Sequence, residues 1–278
     1  MTRTIMPRLC MPDGVHIHYE SRGGPGEGPP VVLLQGLGLS SRFWFDLPDS
    51  LRSAAGDPER VLLIDNRGAG RSDRPRGPYR MASFADDVAR VLDAEGIEEA
   101  FVAGISFGGM IAQHVALRHP KRVRGLVLLA TTPGLPHGDL PALATLGALL
   151  SLPFRRRAGP PVELARLLLP ASRMHEAAEL FADWPAAMAA EPQNPGAFFS
   201  QLTAIATHST GSRLHQVRCP TVVMTGSEDV LVPPRNSEVI ASLLPNAALE
   251  VLPGVGHALP MLDRGALARA ITRVRSMA

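Results

Sequence analysis

Four short runs near the start of the chain are apolar at every position, and this feature restricts the fold most strongly. They are Val31–Leu34, Val61–Ile64, Ala100–Ala103 and Leu126–Ala130. Strands with one face in water alternate apolar and polar side chains, whereas strands covered on both faces are apolar throughout. Longer helical stretches separate the four runs, as is typical of parallel strands joined by crossover helices. The sequence therefore predicts the α/β class, with a mostly parallel, doubly wound sheet.

The remaining strand patterns extend this sheet to eight strands. Leu9 and Val15–Glu20 flank a Pro-Asp-Gly turn, which predicts a hairpin at the start of the chain. Thr221–Met224 and Leu249–Leu252 resume the strand pattern near its end. Between strands, Ser83 is placed to cap a helix whose apolar stripe packs on the sheet.

A different pattern occupies residues 133–212. They form Ala- and Leu-rich helical pieces that are interrupted repeatedly by proline, which ends or kinks helices. Because strand patterning resumes after this segment, we interpret it as a helical cap inserted into one domain. The predicted division is an α/β core, residues 1–132 and 213–278, and a cap, residues 133–212.

Composition limits the classes of binding partner and the cellular compartment that are expected for this chain. The 28 basic and 26 acidic residues nearly cancel, so no global field favours nucleic acid or an anionic membrane. Cys10 and Cys219 are too few for a disulfide framework and lack metal-binding spacing. The first residues lack the apolar run of a signal peptide. These features predict a cytoplasmic protein with a small-molecule partner, and they leave a monomer and a homodimer equally open.

The apolar stretch Leu140–Leu152 raises the question of membrane binding. It includes Pro141 and is followed directly by Pro153. Its length falls well short of the ~20 residues needed to cross a bilayer. We interpret it as a buried or lid helix, with no stable membrane association. The alternative is a lid that docks on lipid with the cations Arg155–Arg157 at the interface, although such a run is usually a solvated face.

The strongest local signal for chemistry is Gly104-Ile105-Ser106-Phe107-Gly108, which follows an apolar strand and precedes a helical run. A Gly-x-Ser-x-Gly sequence in that context forms a tight strand-to-helix turn that lifts the serine hydroxyl above the sheet edge. The helix N-terminus there also favours developing negative charge. Ser106 is therefore the candidate nucleophile, and the competing interpretation is a simple helix N-cap.

A serine hydroxyl needs a base to remove its proton, and location selects one of the nine histidines. His257 follows the last apolar strand, so it lies at the carboxyl edge where Ser106 also emerges. Asp229 follows the preceding strand and is the candidate carboxylate that orients the imidazole, with Glu228 as its nearest competitor. The chain order Ser106, Asp229, His257 is that of α/β-hydrolases and differs from trypsin-like and subtilisin-like proteases.

The anionic intermediate of acyl transfer needs hydrogen-bond donors, typically two backbone N–H groups. One is expected from Phe107 and the other from Leu37, in the loop Gln35-Gly36-Leu37-Gly38 after the first central strand. The alternative for this loop is an ordinary glycine-rich turn. Gly36, Leu39 and Trp44 are the predicted substrate contacts. Further apolar pocket candidates, each also a candidate for the core, are Leu37, Phe43, Phe107, Phe181, Trp184, Met188, Phe198 and Phe199.

With these residues the chain resembles the α/β-hydrolase superfamily from about residue 13 onwards. The segments that carry the resemblance are residues 34–38, 64–72, 104–109, 226–229 and 256–257. They look most like the capped bacterial branch that includes carboxylesterases, enol-lactonases, C–C bond hydrolases and cofactor-free haloperoxidases. That branch usually has His-Gly where this chain has Gln35-Gly36. We expect this difference to tune the packing of the loop. Asp65 and Arg67 match a loop motif of the family that is usually structural.

The resemblance and the residues together imply a serine hydrolase that cleaves a small-to-medium, largely apolar ester or lactone through an acyl-enzyme. No metal and no cofactor are required for this mechanism. Serine at the elbow disfavours haloalkane dehalogenase and epoxide hydrolase chemistry, which uses aspartate there. Two enzymatic alternatives share the triad, C–C bond hydrolysis and a cofactor-free haloperoxidase-like reaction. The alternative outside enzymology is a ligand-sensing regulator with the same fold.

Overall fold

A computed structural model describes residues 7–23, 28–54, 60–152 and 162–278 of the chain. Eight strands form one sheet in the order β1-β2-β4-β3-β5-β6-β7-β8. β1 and β2 pair antiparallel, β2 pairs antiparallel with β4, and every other pairing is parallel. The predicted eight-stranded, mostly parallel sheet is confirmed. The strands are β1 Arg8–Cys10, β2 His16–Arg22, β3 Val31–Leu34, β4 Val61–Ile64, β5 Ala100–Ile105, β6 Val123–Leu129, β7 Thr221–Gly226 and β8 Ala247–Leu252.

The described helices cover both faces of this sheet and fill the segment between β6 and β7. They are α1 Leu47–Ala54, α2 Met81–Ala94, α3 Phe107–Arg118, α4 Leu143–Ser151, α5 Val162–Leu168, α6 Ala177–Leu180, α7 Trp184–Ala190, α8 Pro195–Ala206, α9 Arg235–Leu243, α10 Leu259–Leu262 and α11 Ala266–Met277. Short 3-10 helices accompany them at Ser41–Trp44, Pro120–Arg122, Ala171–Glu176 and Gly211–Gln216. We call residues 133–212 the cap segment; α4 to α8 lie within it.

Alternate side chains of the central strands point into two different apolar layers, which explains why these strands are apolar throughout. In β3, Val32 and Leu34 belong to the layer under α2, α3 and α9. Val31 and Leu33 belong to the opposite layer, under α1 and α11. All four side chains are fully buried, so this strand is fixed between two helical layers.

The observed elements differ from the sequence predictions mainly at their ends. β5 continues to Ile105 because Gly104 and Ile105 pair with the end of β6. The predicted cap at Ser83 is wrong: α2 begins at Met81, and the N-cap position is Arg80, whose backbone is extended. Ser83 lies inside the first turn, where its N–H donates to the carbonyl of Arg80. Arg155–Arg157 lie outside the described residues.

No helix in the described ranges is long and apolar enough to span a membrane. α4, the apolar helix of the predicted lid, has nine residues.

Candidate active site

Ser106 lies at the turn between β5 and α3, with φ 54° and ψ −116°. A positive φ is strained for any residue with a Cβ and persists only where neighbouring structure enforces it. A Cβ at Gly104 would collide with the carbonyl of Gly108, and one at Gly108 would collide with the carbonyl of Leu34. The two glycines therefore allow β5, α3 and β3 to approach closely at this turn.

The geometry of Ser106 does not match the simple helix-cap interpretation. The residue occupies the N-cap position of α3, yet its hydroxyl makes no capping hydrogen bond. Its backbone is held instead: the N–H donates to Leu129 over 2.8 Å, and its carbonyl accepts from the hydroxyl of Thr131 over 2.8 Å. The side chain is partly exposed, so its oxygen is left available to a neighbouring group.

His257 and Asp229 are hydrogen-bonded to each other and buried. Nδ1 of His257 lies 2.8 Å from Oδ2 of Asp229, and the two residues are 5% and 4% exposed. The second carboxylate oxygen, Oδ1, accepts from the N–H groups of Leu231 and Val232 over 2.9 and 2.8 Å. Because a carboxylate only accepts, Nδ1 carries the proton and Nε2 of the neutral ring is an acceptor. Glu228, the competing carboxylate, is exposed.

Ser106 and His257 line one cavity of about 1000 Å³. They reach it from different elements, since Ser106 follows β5 whereas His257 follows β8, the last strand of the sheet. Both strands are parallel and end at the same edge. The structure therefore places the predicted serine and histidine at one edge of the sheet and in the lining of one cavity, with Asp229 hydrogen-bonded to the histidine.

The loop after β3 contacts the serine turn. A Cβ at Gly36 would lie 3.7 Å from the Cβ of Ser106. The N–H of Gly36 donates to the side-chain oxygen of Gln35 over 2.8 Å. Within the described residues, the N–H groups of Leu37 and Phe107 donate to no protein acceptor. The N–H of Gly36 already has an acceptor, whereas these two N–H groups do not.

The cavity wall is mainly apolar and comes from both the sheet edge and the cap segment. The predicted contacts Gly36, Leu39 and Trp44 all line it. Of the other pocket candidates, Leu37, Phe43, Trp184, Met188 and Phe198 also line it. Phe107, Phe181 and Phe199 are not among the lining residues. Phe107 and Phe181 are buried in apolar clusters, which is the core alternative, and Phe199 packs edge-on against Phe198.

One polar feature of this wall was missed by sequence reasoning. His208, at the end of the cap segment, lines the cavity; its Nε2 donates to the carbonyl of Thr132 over 2.9 Å and its Nδ1 lies 3.2 Å from Nε2 of His114. Burial lowers the pKa of His208 to about 4 and that of His114 to about 3. Both rings are therefore neutral near pH 7. No local pattern in the sequence pairs two histidines so far apart.

Asp65 and Arg67 have structural partners, as the loop motif implies. Asp65 is fully buried and accepts from the N–H groups of Ser41 and Arg71 over 2.7 and 3.0 Å. Arg67 forms two 2.7 Å hydrogen bonds to Asp87. Among the described residues, no group of three His, Cys, Asp or Glu side chains is arranged to hold a metal ion.

Comparisons with known proteins agree with this architecture. The model of the alpha/beta hydrolase fold family matches residues 29–263. A 2-hydroxymuconate semialdehyde hydrolase from Pseudomonas putida is 36% identical over 242 residues, covering 84% of this chain and 82% of that protein.

Two solved structures extend the comparison. An enzyme described as degrading N-acyl homoserine lactones superimposes with a TM-score of 0.77 at 28% identity, covering 96% of this chain and 99% of that one. The enol-lactonase from Burkholderia xenovorans LB400 has a TM-score of 0.83 at 21% identity, covering 97% and 100%, and shows the fold alone. With the sheet order, the serine turn and the family match in place, the chain belongs to the α/β-hydrolase family.

Proposed function

We propose that this hydrolase cleaves carboxylic esters or lactones through a covalent acyl-serine at Ser106. The observation that carries the proposal is the shared cavity: a strained, uncapped serine and a histidine hydrogen-bonded to a buried carboxylate line the same space. A nucleophile, a base and a group that orients the base are the parts that such chemistry requires.

The reaction proceeds in two steps. The oxygen of Ser106 attacks the substrate carbonyl carbon while Nε2 of His257 takes the hydroxyl proton. Asp229 keeps the ring in the required tautomer and stabilises the imidazolium. The N–H groups of Leu37 and Phe107 hold the oxyanion. The imidazolium then protonates the leaving oxygen as its bond to carbon breaks, and water, deprotonated by His257, releases the acyl group and restores the serine.

The cavity supports a largely apolar substrate of small to medium size. Its wall is dominated by leucine, methionine and aromatic side chains from both the core and the cap segment. Burial of substrate carbon against such side chains favours binding by about 0.8 kcal/mol per methylene. The relative that degrades N-acyl homoserine lactones supports a lactone among the substrates.

The test compares the parent protein with Ser106→Ala on p-nitrophenyl butanoate. Loss of the nucleophile is expected to lower kcat by roughly three to six orders of magnitude, with unchanged circular dichroism. A fluorophosphonate probe should add one mass increment to the parent and none to this variant. Ser242→Ala is the control, since Ser242 is an exposed serine on α9. Equal hydrolysis by parent and Ser106→Ala would contradict the proposal.

A second candidate is hydrolysis of a C–C bond, which the 36% identical 2-hydroxymuconate semialdehyde hydrolase favours. The same serine, histidine and oxyanion donors serve that reaction, with a carbon leaving group in place of oxygen. A panel that sets esters and lactones beside β-diketone-like substrates separates the two by kcat/KM. Repeated product release in the panel also excludes the ligand-sensing alternative, for which a single slow turnover is expected.

A further inference from the structure

The side chain of Gln35 presents an unused hydrogen-bond donor beside the candidate nucleophile. Its oxygen Oε1 accepts the N–H of Gly36 over 2.8 Å. A backbone N–H is a donor, so the bonded atom must be the amide oxygen, and this chemistry fixes which end of the carboxamide is nitrogen. Among the described residues, Nε2 has no hydrogen-bond acceptor. This nitrogen is not fully occluded by the surrounding protein.

Gln35 is buried and reaches open space through the cavity. The residue is only 6% exposed and lines the same space as Ser106 and His257. A buried polar group without a partner costs free energy, so such a donor is usually paired with water or a ligand. Trp44 differs: its indole nitrogen is also unpaired but fully occluded, so it offers no donor to the cavity.

The sheet order determines which part of a substrate Gln35 faces. β3, which precedes Gln35, lies on one side of β5 and Ser106, whereas β7 and β8, which precede Asp229 and His257, lie on the other. The leaving oxygen takes its proton from His257 and therefore lies on that side. The acyl group is left on the side of Gln35, and Gly36 lies next to Ser106.

We propose that Gln35 is a specificity-determining residue that donates from Nε2 to an oxygen on the acyl group, close to the scissile carbonyl. The preferred substrate class is thus an acyl ester or lactone with an ether, keto or amide oxygen near the carbonyl. This inference rests on the proposed function and deepens it. The same side chain has a second role, because its oxygen accepts the hydrogen bond from the N–H of Gly36.

Two isosteric esters test the proposal: p-nitrophenyl methoxyacetate and p-nitrophenyl butanoate, which differ by one ether oxygen in place of a methylene. The readout is the ratio of their kcat/KM values, since the intrinsic reactivity of each ester is the same for every variant. Gln35→Met removes both donor and acceptor, and Gln35→Glu keeps an acceptor for Gly36 while removing the donor. Each is expected to lower the ratio by about threefold to tenfold, the size of one hydrogen bond.

Gln193→Met is the matched control, because Gln193 lines the same cavity from the cap segment. Its ratio should remain that of the parent. If both Gln35 variants slow the two esters by equal factors, Gln35 only holds the loop and the proposal is overturned. An equal fall of the ratio in Gln193→Met also overturns it. Failure of the ester hydrolase function is recognised separately, by Ser106→Ala remaining active.

Discussion

The central strands and helix α4 of the cap segment are opposite in burial. In β3 and β5 every side chain is buried between two helical layers. In α4 of the cap segment no residue is buried, and Leu143 is 86% exposed. Close packing resists displacement, whereas an exposed helix has few contacts to hold it. The groups proposed for chemistry therefore follow closely packed strands, whereas α4 contributes cavity-lining side chains from an exposed helix.

Hydrogen bonds and an ion pair join the cap segment to the core. Thr210, where the cap segment returns to the core, donates to the side chain of Gln113 on α3 over 2.6 Å. Gly134 and Ser209 form an antiparallel bridge between the two ends of the segment. Glu191 at the end of α7 pairs with Arg71 of the core at 3.1 Å. Directional bonds at these points fix the base of the cap segment while α4 stays exposed.

The largest expected effect lies among the groups proposed for chemistry, in Asp229→Asn. The carboxamide oxygen can keep the N–H groups of Leu231 and Val232, so the loop should stay in place. Its NH₂ group then faces Nδ1 of His257 and favours the tautomer with the proton on Nε2, which cannot accept from Ser106. We expect kcat for p-nitrophenyl butanoate to fall by about 10⁴. Glu228→Gln, one residue earlier and exposed, should retain parental activity, and a fall there would question the choice of carboxylate.

Sequence reasoning succeeded where physical rules are local or depend on strand ends. Continuous apolar runs identified the central strands, because each residue faces one of two buried layers. Ser106, Asp229 and His257 were each placed after a strand, and parallel strands end at one edge, so their approximate meeting point followed. The roles of these three residues stay predictions until the variants are measured.

The rest depended on side chains far apart in sequence. Residue type made Phe107 and Phe181 candidates for the pocket and for the core alike, and only the tertiary packing shows that both belong to apolar clusters. The cap at Ser83 failed because α2 begins one turn earlier, at Met81, without a side-chain cap. The bond from Gly36 to Gln35 and the pairing of His114 with His208 depend on tertiary positions that no periodicity encodes.

The second expected effect concerns the junction, through the histidines His114 on α3 and His208 in the cap segment. Burial holds both folded-state pKa values below the ordinary 6.5, to about 3 and about 4. Below pH 6.5 the unfolded chain binds protons that the folded protein excludes. The free energy of unfolding therefore decreases as the pH is lowered, and it levels off near the folded-state pKa values. At pH 5 the loss is about 2 kcal/mol per histidine.

Urea unfolding at pH 7, 6 and 5 measures this dependence. The double variant His114→Gln with His208→Gln should lose about 4 kcal/mol less than the parent between pH 7 and pH 5. His175→Gln is the control, because the side chain of His175 is 76% exposed and its replacement should leave the pH dependence unchanged. If the double variant follows the parental curve, the buried histidine pair does not link the cap segment to the core.

The smallest expected effect lies within α4 and compares two of its leucines. Leu143 is 86% exposed, whereas Leu146 lines the cavity. Neither is buried, so Leu143→Ala and Leu146→Ala should each change the free energy of unfolding by less than about 0.5 kcal/mol. Only Leu146→Ala removes apolar surface from the cavity wall, and we expect it to raise KM for p-nitrophenyl octanoate by about threefold. A similar rise in Leu143→Ala would mean that α4 moves onto the substrate, and a large loss of stability in either would remove the contrast between the core and the cap segment.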